Sequence, residues 1–567
     1  MSIQSAIRRK FRKDDWLIRL LVILMLVVLF VAIVGPLGEL FMKAFRNQQN
    51  EWVGFSYFTA YLTTPALSQS ISHSLYVSTL TTLISVGAAF FYAYALTRTG
   101  MSGKRWFRYI ALLPLFAPTM MHGIALTYLF GNQGLVTTGL FGLVPGFPIP
   151  LYGSLGIIIS EIIYTFPQAF LILIVTFSIV DYRLYEAAQT LGAGKWKQFW
   201  TITLPQAKYG LIGSLFVCFT LSFTDFGAPK VVGGQYNVLP TDIYKQVIGQ
   251  QNMSMGAVIG ILLTLPALAA FFVDRFVERK QQSMVSVKSV PYQIAPNRIR
   301  DTLYTVYCSL VALIIGVLLL TVVFASLVKV WPYRLELSFK HYDFSDVSAG
   351  GLEPFWNSLL VAFLTAVIGT GLTFVHAYLI EKIRIWKTLR QLGYFLSLLP
   401  LALPGMVIGL GYIFFFNRPD NPLHAMYGTI WLVVLANVVH FYSVSFITAT
   451  TSLKRLDKEY EVVSESMRVS VFQLFFRVSA PVSLPAIFEM AAYYFVNAMV
   501  TISAVVFLYS PDFKLASVSI VNMDDAGDVA AAAAMSTLIL VANIVVRLGY
   551  ELIAHRVLKR TEAWQKR

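Results

Sequence analysis

Twelve apolar runs, each long enough to cross a bilayer, dominate the chain. They lie near 17–42, 71–97, 107–130, 153–180, 208–224, 253–274, 303–328, 357–380, 391–416, 428–452, 484–508 and 529–554. A hydrocarbon core takes ~20 apolar residues in a helix, and a helix satisfies its own backbone hydrogen bonds where water is absent. Only 13% of the 567 residues are charged, against 57% hydrophobic. Soluble domains carry about 25% charged residues, and disordered chains far less apolar content. The sequence therefore predicts an all-α polytopic membrane protein with about twelve transmembrane helices. The first run exceeds the ~7–15 residues of a signal-peptide core and lacks a small-residue cleavage site before Pro36, so it is expected to be retained.

The formal charge is +15, from 44 Lys and Arg against 29 Asp and Glu. Those basic residues alternate by loop. Segments 8–13, 98–108, 183–208, 275–300, 382–390, 454–477 and 547–567 hold 34 of them. The intervening loops hold nine, and Arg19 lies within the first run. Lys and Arg stay on the cytoplasmic side during insertion, so the heavy set is expected there, with both termini cytoplasmic. Charge placed this way reports topology in a membrane and argues against a nucleic-acid partner. Cys218 and Cys308, both in apolar runs, exclude a disulfide framework and a thiolate metal cluster.

The two halves of the chain repeat. Ser74-Leu75 and Ala93-Tyr94 match Ser358-Leu359 and Ala377-Tyr378 at an offset of 284 residues. Leu112-Leu113-Pro114, Ala117-Pro118 and Gly123 match Leu398-Leu399-Pro400, Leu403-Pro404 and Gly409 at 286, and Pro205 matches Pro481 at 276. Six spans per half is an even number, so both halves enter from one side, and the repeat is parallel. The expected units are residues 1–285, a cytoplasmic linker 286–300 and residues 301–567, with a pore on the shared axis.

The most informative loop follows the fourth span, residues 181–206. Asp181 is a plausible N-cap for a short helix, and Gly192 and Gly194 plausible terminators. Glu186 offers a carboxylate to a partner's arginine, and Ala187 and Ala188 let another protein approach the backbone closely. Pro205 is expected to reset the chain into the fifth span. Glu186-Ala187-Ala188, Gly192, Ile202, Leu204 and Pro205 satisfy every fixed position of the pattern E-A-A, three residues, G, nine residues, I-x-L-P. At these residues the chain resembles the inner-membrane permeases of ABC importers, with two six-helix units fused (a type I importer permease).

The resemblance implies that this loop is a coupling helix seated on an ATPase subunit. It further implies two copies of that ATPase, which carry ATP and Mg, an extracytoplasmic solute-binding protein, a small-molecule solute and surrounding lipid. No cofactor is expected on this chain, and no enzyme activity: Gly192-Ala193-Gly194-Lys195 imitates a phosphate loop, but Gln189 and Trp196 stand where Gly and Ser/Thr are needed. There is no HExxH or His-Cys metal motif either.

In the second half the loop 453–482 departs from the pattern. Anchored on Pro481, the Glu position falls on Val462 and the Gly position on Arg468, with Glu461 one residue early. Either a one-residue shift restores Glu461 to the coupling role, or this loop docks differently.

Ionisable or polar groups inside spans are costly and default to functional candidates. Glu161 and its repeat counterpart Asn437, His440 one turn beyond it, and Asp225 at the end of the fifth span are candidates for a substrate path. Interhelical hydrogen bonding is the alternative for each, and for His122. Asp524, Asp525 and Asp528 sit where they favour the positive end of the last helix. Residues 223–237, 242–252 and 522–528 are similar to 2-aminoethylphosphonate permeases, which makes that solute the expectation, with ferric iron or thiamine as the alternative. An ion-coupled secondary transporter is the rival from another energetic class.

Overall fold

The computed structural model describes residues 13–282, 290, 292–294, 296–345, 350–383, 386–457, 459–467, 469–510 and 513–565. Among them eight helices are long and apolar enough to cross a membrane, and four further pairs of helices are each bent at a short break, giving up to twelve spans. The unbroken ones are Trp16–Ala44, Pro65–Arg98, Ser154–Ser178, Lys195–Thr224, Met253–Val273, Arg298–Leu327, Glu353–Glu381 and Val529–Ala554. They match eight of the runs read from the sequence.

The third and ninth spans break at the same repeated place. Lys104–Phe116 and Thr119–Phe130 meet at 102°, and Lys387–Ala402 and Gly405–Phe416 at 112°. The cause is local: a residue preceding proline avoids the helical region, and Ala117 before Pro118 and Leu403 before Pro404 are both extended. Beyond each bend a glycine admits close packing. A Cβ on Gly123 would lie 2.9 Å from Val231 Cβ, and one on Gly409 would lie 2.7 Å from the Ala504 carbonyl oxygen. The repeat is also stitched alike, since Ser74 Oγ accepts from the Leu239 N–H and Ser358 Oγ from the Ala516 N–H, both at 2.8 Å.

The halves in sequence are not the halves in packing. Ile18, Val22, Met25 and Leu29 of the first span bury themselves in the same core as Phe374, Tyr412 and Phe416. Tyr412 donates its hydroxyl to the Ala32 carbonyl at 2.9 Å, and Arg418 pairs with Glu39 at 2.6 Å. In return the seventh span joins the first half: Cys308 shares the core of Phe90 and Tyr92, and Tyr307 donates to the Ala88 carbonyl at 2.8 Å. Each six-helix unit thus lends its first helix to the other.

The fifth span corrects the reading of Pro205. A helix begins at Lys195, passes through a π-helical turn at Phe199–Thr203 and continues from Leu204 to Thr224 without a sharp bend. Pro205 has no N–H to give, and the wider turn absorbs the loss. The second half repeats the π turn at Phe475–Ser479 before Pro481 but then bends by 73° at Ser483. Pro485, standing where the first half has Tyr209, is the added helix breaker.

Candidate functional site

The loop after the fourth span folds from its first residues. Asp181 Oδ1 accepts from the Arg183 N–H at 3.1 Å, opening the helix Arg183–Thr190. Asp457 Oδ1 accepts from the Glu459 N–H at 3.1 Å, opening Glu459–Ser466. The two helices, the turns after them and the π turns all stand 276 residues apart. Arg183 also forks onto the Asp181 carboxylate, with Nη2 2.6 Å from Oδ2, and holds that carboxyl down to about 2. Gly192 closes the first helix at φ +72°, which an L side chain rarely adopts.

On that frame Glu186 and Ala187 are exposed and Ala188 is half-buried; Leu204 is half-buried and Pro205 exposed. In the second loop Val462 takes the place of Glu186 and is 63% exposed, beside exposed Val463 and Met467. Arg468 lies outside the described residues. The constant offset leaves no one-residue shift. Glu461 therefore occupies the place of Tyr185, facing the membrane core, and Pro481 the exposed place of Pro205.

What these two inward residues meet was not anticipated. Tyr185 is buried, and its hydroxyl lies 2.8 Å from Thr203 Oγ1. Its ring also faces Arg98, the last residue of the second span. Arg98 is 3% exposed, donates to the Phe177 carbonyl at 2.9 Å, and lies 4.1 Å from the Tyr292 ring and 5.7 Å from that of Tyr185. Glu461 Oε1 lies 2.9 Å from Nζ of Lys382, which also donates to the Leu456 carbonyl at 3.4 Å. Arg98 and Lys382 are 284 residues apart, the offset of Ser74 and Ser358. That spacing was the available signal for both.

The linker closes over the first loop. Tyr182 N–H donates to the Val290 carbonyl at 3.0 Å and Val290 N–H to Asp181 Oδ1 at 3.3 Å. The Tyr292 ring stands edge-on to Tyr182 and Tyr185, at 5.3 and 5.1 Å between centroids.

Within the membrane the structure brings Glu161 and Asp225 together. Glu161 is fully buried, and among the described residues neither carboxyl oxygen has a hydrogen-bond partner. Asp225 faces it, with Ser222 and Thr119 in reach, and Asp225 Oδ2 accepts from the Ala228 N–H at 2.9 Å. Two facing carboxylates are acceptors only, so a proton or a cation is needed to join them. Tyr164 stands beside the pair and next to Tyr493 of the other half. Tyr493 in turn packs edge-on against Phe441, 6.0 Å between centroids, at the 56° bend of the tenth span. Among the described residues the fully buried Asn437 has no hydrogen-bond partner for either amide atom, nor has His440 Nδ1, whose ring lies 4.5 Å from Phe441. His122 is buried with neither ring nitrogen bonded. The interhelical hydrogen bonds weighed as the alternative for the His122 and Asn437 side chains are thus not made among the described residues.

On the face opposite the basic loops a cavity of about 550 Å³ is lined by Gln133, Tyr152, Lys329, Lys340, His341 and Asp528, among others. Trp331 closes one wall by donating Nε1–H to the Gln133 carbonyl at 2.9 Å. Nearby, Lys230 of the first half pairs with Asp525 of the second at 2.6 Å. Asp525 is therefore engaged across the halves as well as lying near the last helix.

The family model for the binding-protein-dependent transport system inner membrane component matches residues 84–283 and 377–559, once in each half and in both cases without the exchanged first helix. A ferric transport system permease protein of Actinobacillus pleuropneumoniae is 28% identical over 85% of this chain and 71% of its own length. A similarly described protein of Haemophilus influenzae is 28% identical over 90% of this chain and 81% of its own. The molybdenum transport system permease protein of Escherichia coli is 29% identical over 35% of this chain and 90% of its own length.

Proposed function

Because the chain belongs to the family of binding-protein-dependent transport system inner membrane components, we propose that it carries ferric iron into the cell. By that membership it is the multi-pass permease of an ABC importer, a transport subunit. The observation that carries the iron reading is the alignment of ferric transport permeases along 85 and 90% of the chain. The buried group of Glu161, Asp225 and Tyr164 supports it, since an all-oxygen set suits a hard cation. The 2-aminoethylphosphonate expectation has no comparable support.

In the proposed cycle two ATPase subunits seat on the helices Arg183–Thr190 and Glu459–Ser466. Glu186, Ala187, Ala188, Gly192, Leu204 and Pro205 form the first contact, and Val462 with its apolar neighbours the second. Closure of the ATPases pushes the two helices together and shifts the permease between inward- and outward-open states, whose populations nucleotide sets. A solute-binding protein delivers iron at the opposite face, near the cavity walled by Trp331. The ion then passes the Glu161–Asp225 pair, with Asn437 and His440 on the second-half wall.

The test is uptake of labelled ferric iron, 2-aminoethylphosphonate and molybdate by cells with and without the permease, before and after ATP depletion. Permease-dependent, ATP-dependent iron uptake is the expected result. Uptake of another solute would overturn the iron reading, and uptake that survives ATP depletion would overturn the ATP-driven cycle.

A further inference from the structure

We infer that Arg98 and Lys382 are positioning residues that latch the two loop helices to the membrane core by different chemistry. In the first half a planar cation is held among aromatic rings. In the second, an ion pair does the same work. The inference rests on the proposed role of those helices in coupling.

Each cation stands at the end of the second span of its half, and each donates to a backbone carbonyl, Arg98 to Phe177 in the last turn of Ser154–Ser178 and Lys382 to Leu456, two residues beyond the helix Tyr442–Lys454. Cations are favoured there, because the last carbonyls of a helix lack partners within it. The remaining capacity of each cation reaches the inward residue of the loop helix. Arg98 meets the Tyr185 ring, with Tyr292 of the linker stacked closer on it. Lys382 meets the Glu461 carboxylate. The substitutions match as pairs: a flat guanidinium with an aromatic ring in one half, a compact ammonium with a carboxylate in the other.

The second pair is not a solvated surface contact. The Lys382 side chain is 9% exposed and that of Glu461 20%. Removing Glu461 leaves the Lys382 ammonium largely buried without its carboxylate. Behind both latches the same aromatic seat recurs. Phe199 packs on Tyr94 and Phe90 at 6.3 and 6.2 Å, and Phe475 on Tyr378 and Phe374 at 4.8 and 5.8 Å.

It follows that Glu461 acts through Lys382, within this chain, whereas Glu186 faces outward. The linker adds a brace in the first half alone among the described residues, because Tyr292 covers Arg98 while Val290 bonds Asp181 and Tyr182 in both directions.

The decisive experiment is a charge-swap cycle in the assembled transporter, with uptake normalised to permease in the membrane and ATPase retention on purification as a second readout. Glu461→Lys and Lys382→Glu are each expected to lower uptake roughly tenfold and loosen the ATPase, and the double swap to recover most of both, as a direct pair requires. A double swap as defective as either single change would overturn the second latch. Glu461→Gln removes the charge with little change in shape and is expected to fall between; full uptake by that variant would also overturn it. In the first half Arg98→Lys keeps the charge but loses the planar stack, and is expected to lower uptake several-fold. Lys382→Arg is expected to retain at least half of it. The opposite ranking would overturn the proposed difference in chemistry. Glu186→Lys, run alongside, isolates the coupling reading: normal uptake there would remove that reading while leaving the swap result as evidence for the latch alone.

Discussion

Glu461 stands in the second half where Tyr185 stands in the first, each on the inward face of its loop helix and each against the cation that ends the second span of its half. One residue later the chain turns outward, to Glu186 in one half and Val462 in the other. The two faces offered to a partner therefore differ at this position, one presenting a carboxylate and the other a valine.

That difference sets the first prediction. Glu186→Lys is expected to lower uptake roughly tenfold or more, the scale of reversing one member of an interface charge pair. The membrane level should not change, because the side chain is exposed and lysine has nearly the same helix propensity as glutamate. Val462→Lys should cost less, since no opposite charge is lost. Uptake together with membrane-fraction immunoblots checks both, and equal defects would argue that the two contacts are alike.

The carboxyl pair gives the second. Glu161→Gln and Asp225→Asn keep the shape of each side chain but remove the ability to hold a cation between two carboxylates. Either change is expected to lower iron uptake roughly tenfold, as for polar groups lining an ion path. Stimulation of the ATPase by the binding protein should persist, since the pair lies remote from the loop helices. Iron uptake at the parental rate would remove the pair from the path.

How much of this was legible follows from what the bilayer constrains. Long apolar runs have few alternatives in a membrane, so the spans could be read almost one for one, whereas Pro118 and Pro404 were read only as matches between the halves and their bends came from the structure. The exchange of first helices could not be read. A span is apolar on its lipid face and its packed face alike, so Ile18 or Leu313 carries no mark of which half it will join. The start of the fifth span at Lys195 was hidden because its first turns, Lys-Trp-Lys-Gln, are polar. Among site residues Glu186 was legible through motif spacing. Glu461 was harder: tyrosine replaced by glutamate at the inward position placed a carboxylate one residue before the expected one. The match of Arg98 with Lys382 becomes informative only when Tyr185 and Glu461 are seen beside them.

A third prediction tests the repeated close packing behind the bends. Alanine gains helix propensity over glycine, about 1 kcal/mol, but at both Gly123 and Gly409 its Cβ meets an atom under 3 Å away. At Gly123 that atom is the Val231 Cβ, which turning the side chain does not move. At Gly409 it is a backbone carbonyl oxygen, which cannot give without moving the chain. Gly409→Ala and Gly123→Ala are therefore each expected to cost about 1–3 kcal/mol, the range for overpacking. Thermal unfolding of the detergent-solubilised proteins checks both, and unchanged stability in either would refute this account of the packing.

The last prediction concerns pH at the face opposite the basic loops. Asp524 lies outside the spans, beside the Lys230–Asp525 pair that joins the halves. Burial chiefly, and then the neighbouring Asp525, push its carboxyl up to about 6, with Lys230 opposing. A carboxyl raised above its ordinary value favours the fold while protonated. The contribution is thus complete below the ordinary carboxylate range, and it is lost as pH rises through about 6. Asp524→Asn keeps a neutral side chain at every pH. Relative to the parent it should be near neutral at pH ~4 and more stable at pH ~7.5, by at most about 3 kcal/mol on the scale of 1.4 per pH unit. Partial contact with water reduces that ceiling. Other titrating groups cancel in the difference between the two proteins, so unfolding temperatures at the two pH values isolate Asp524. The same difference at both would show that its ionisation is not linked to folding.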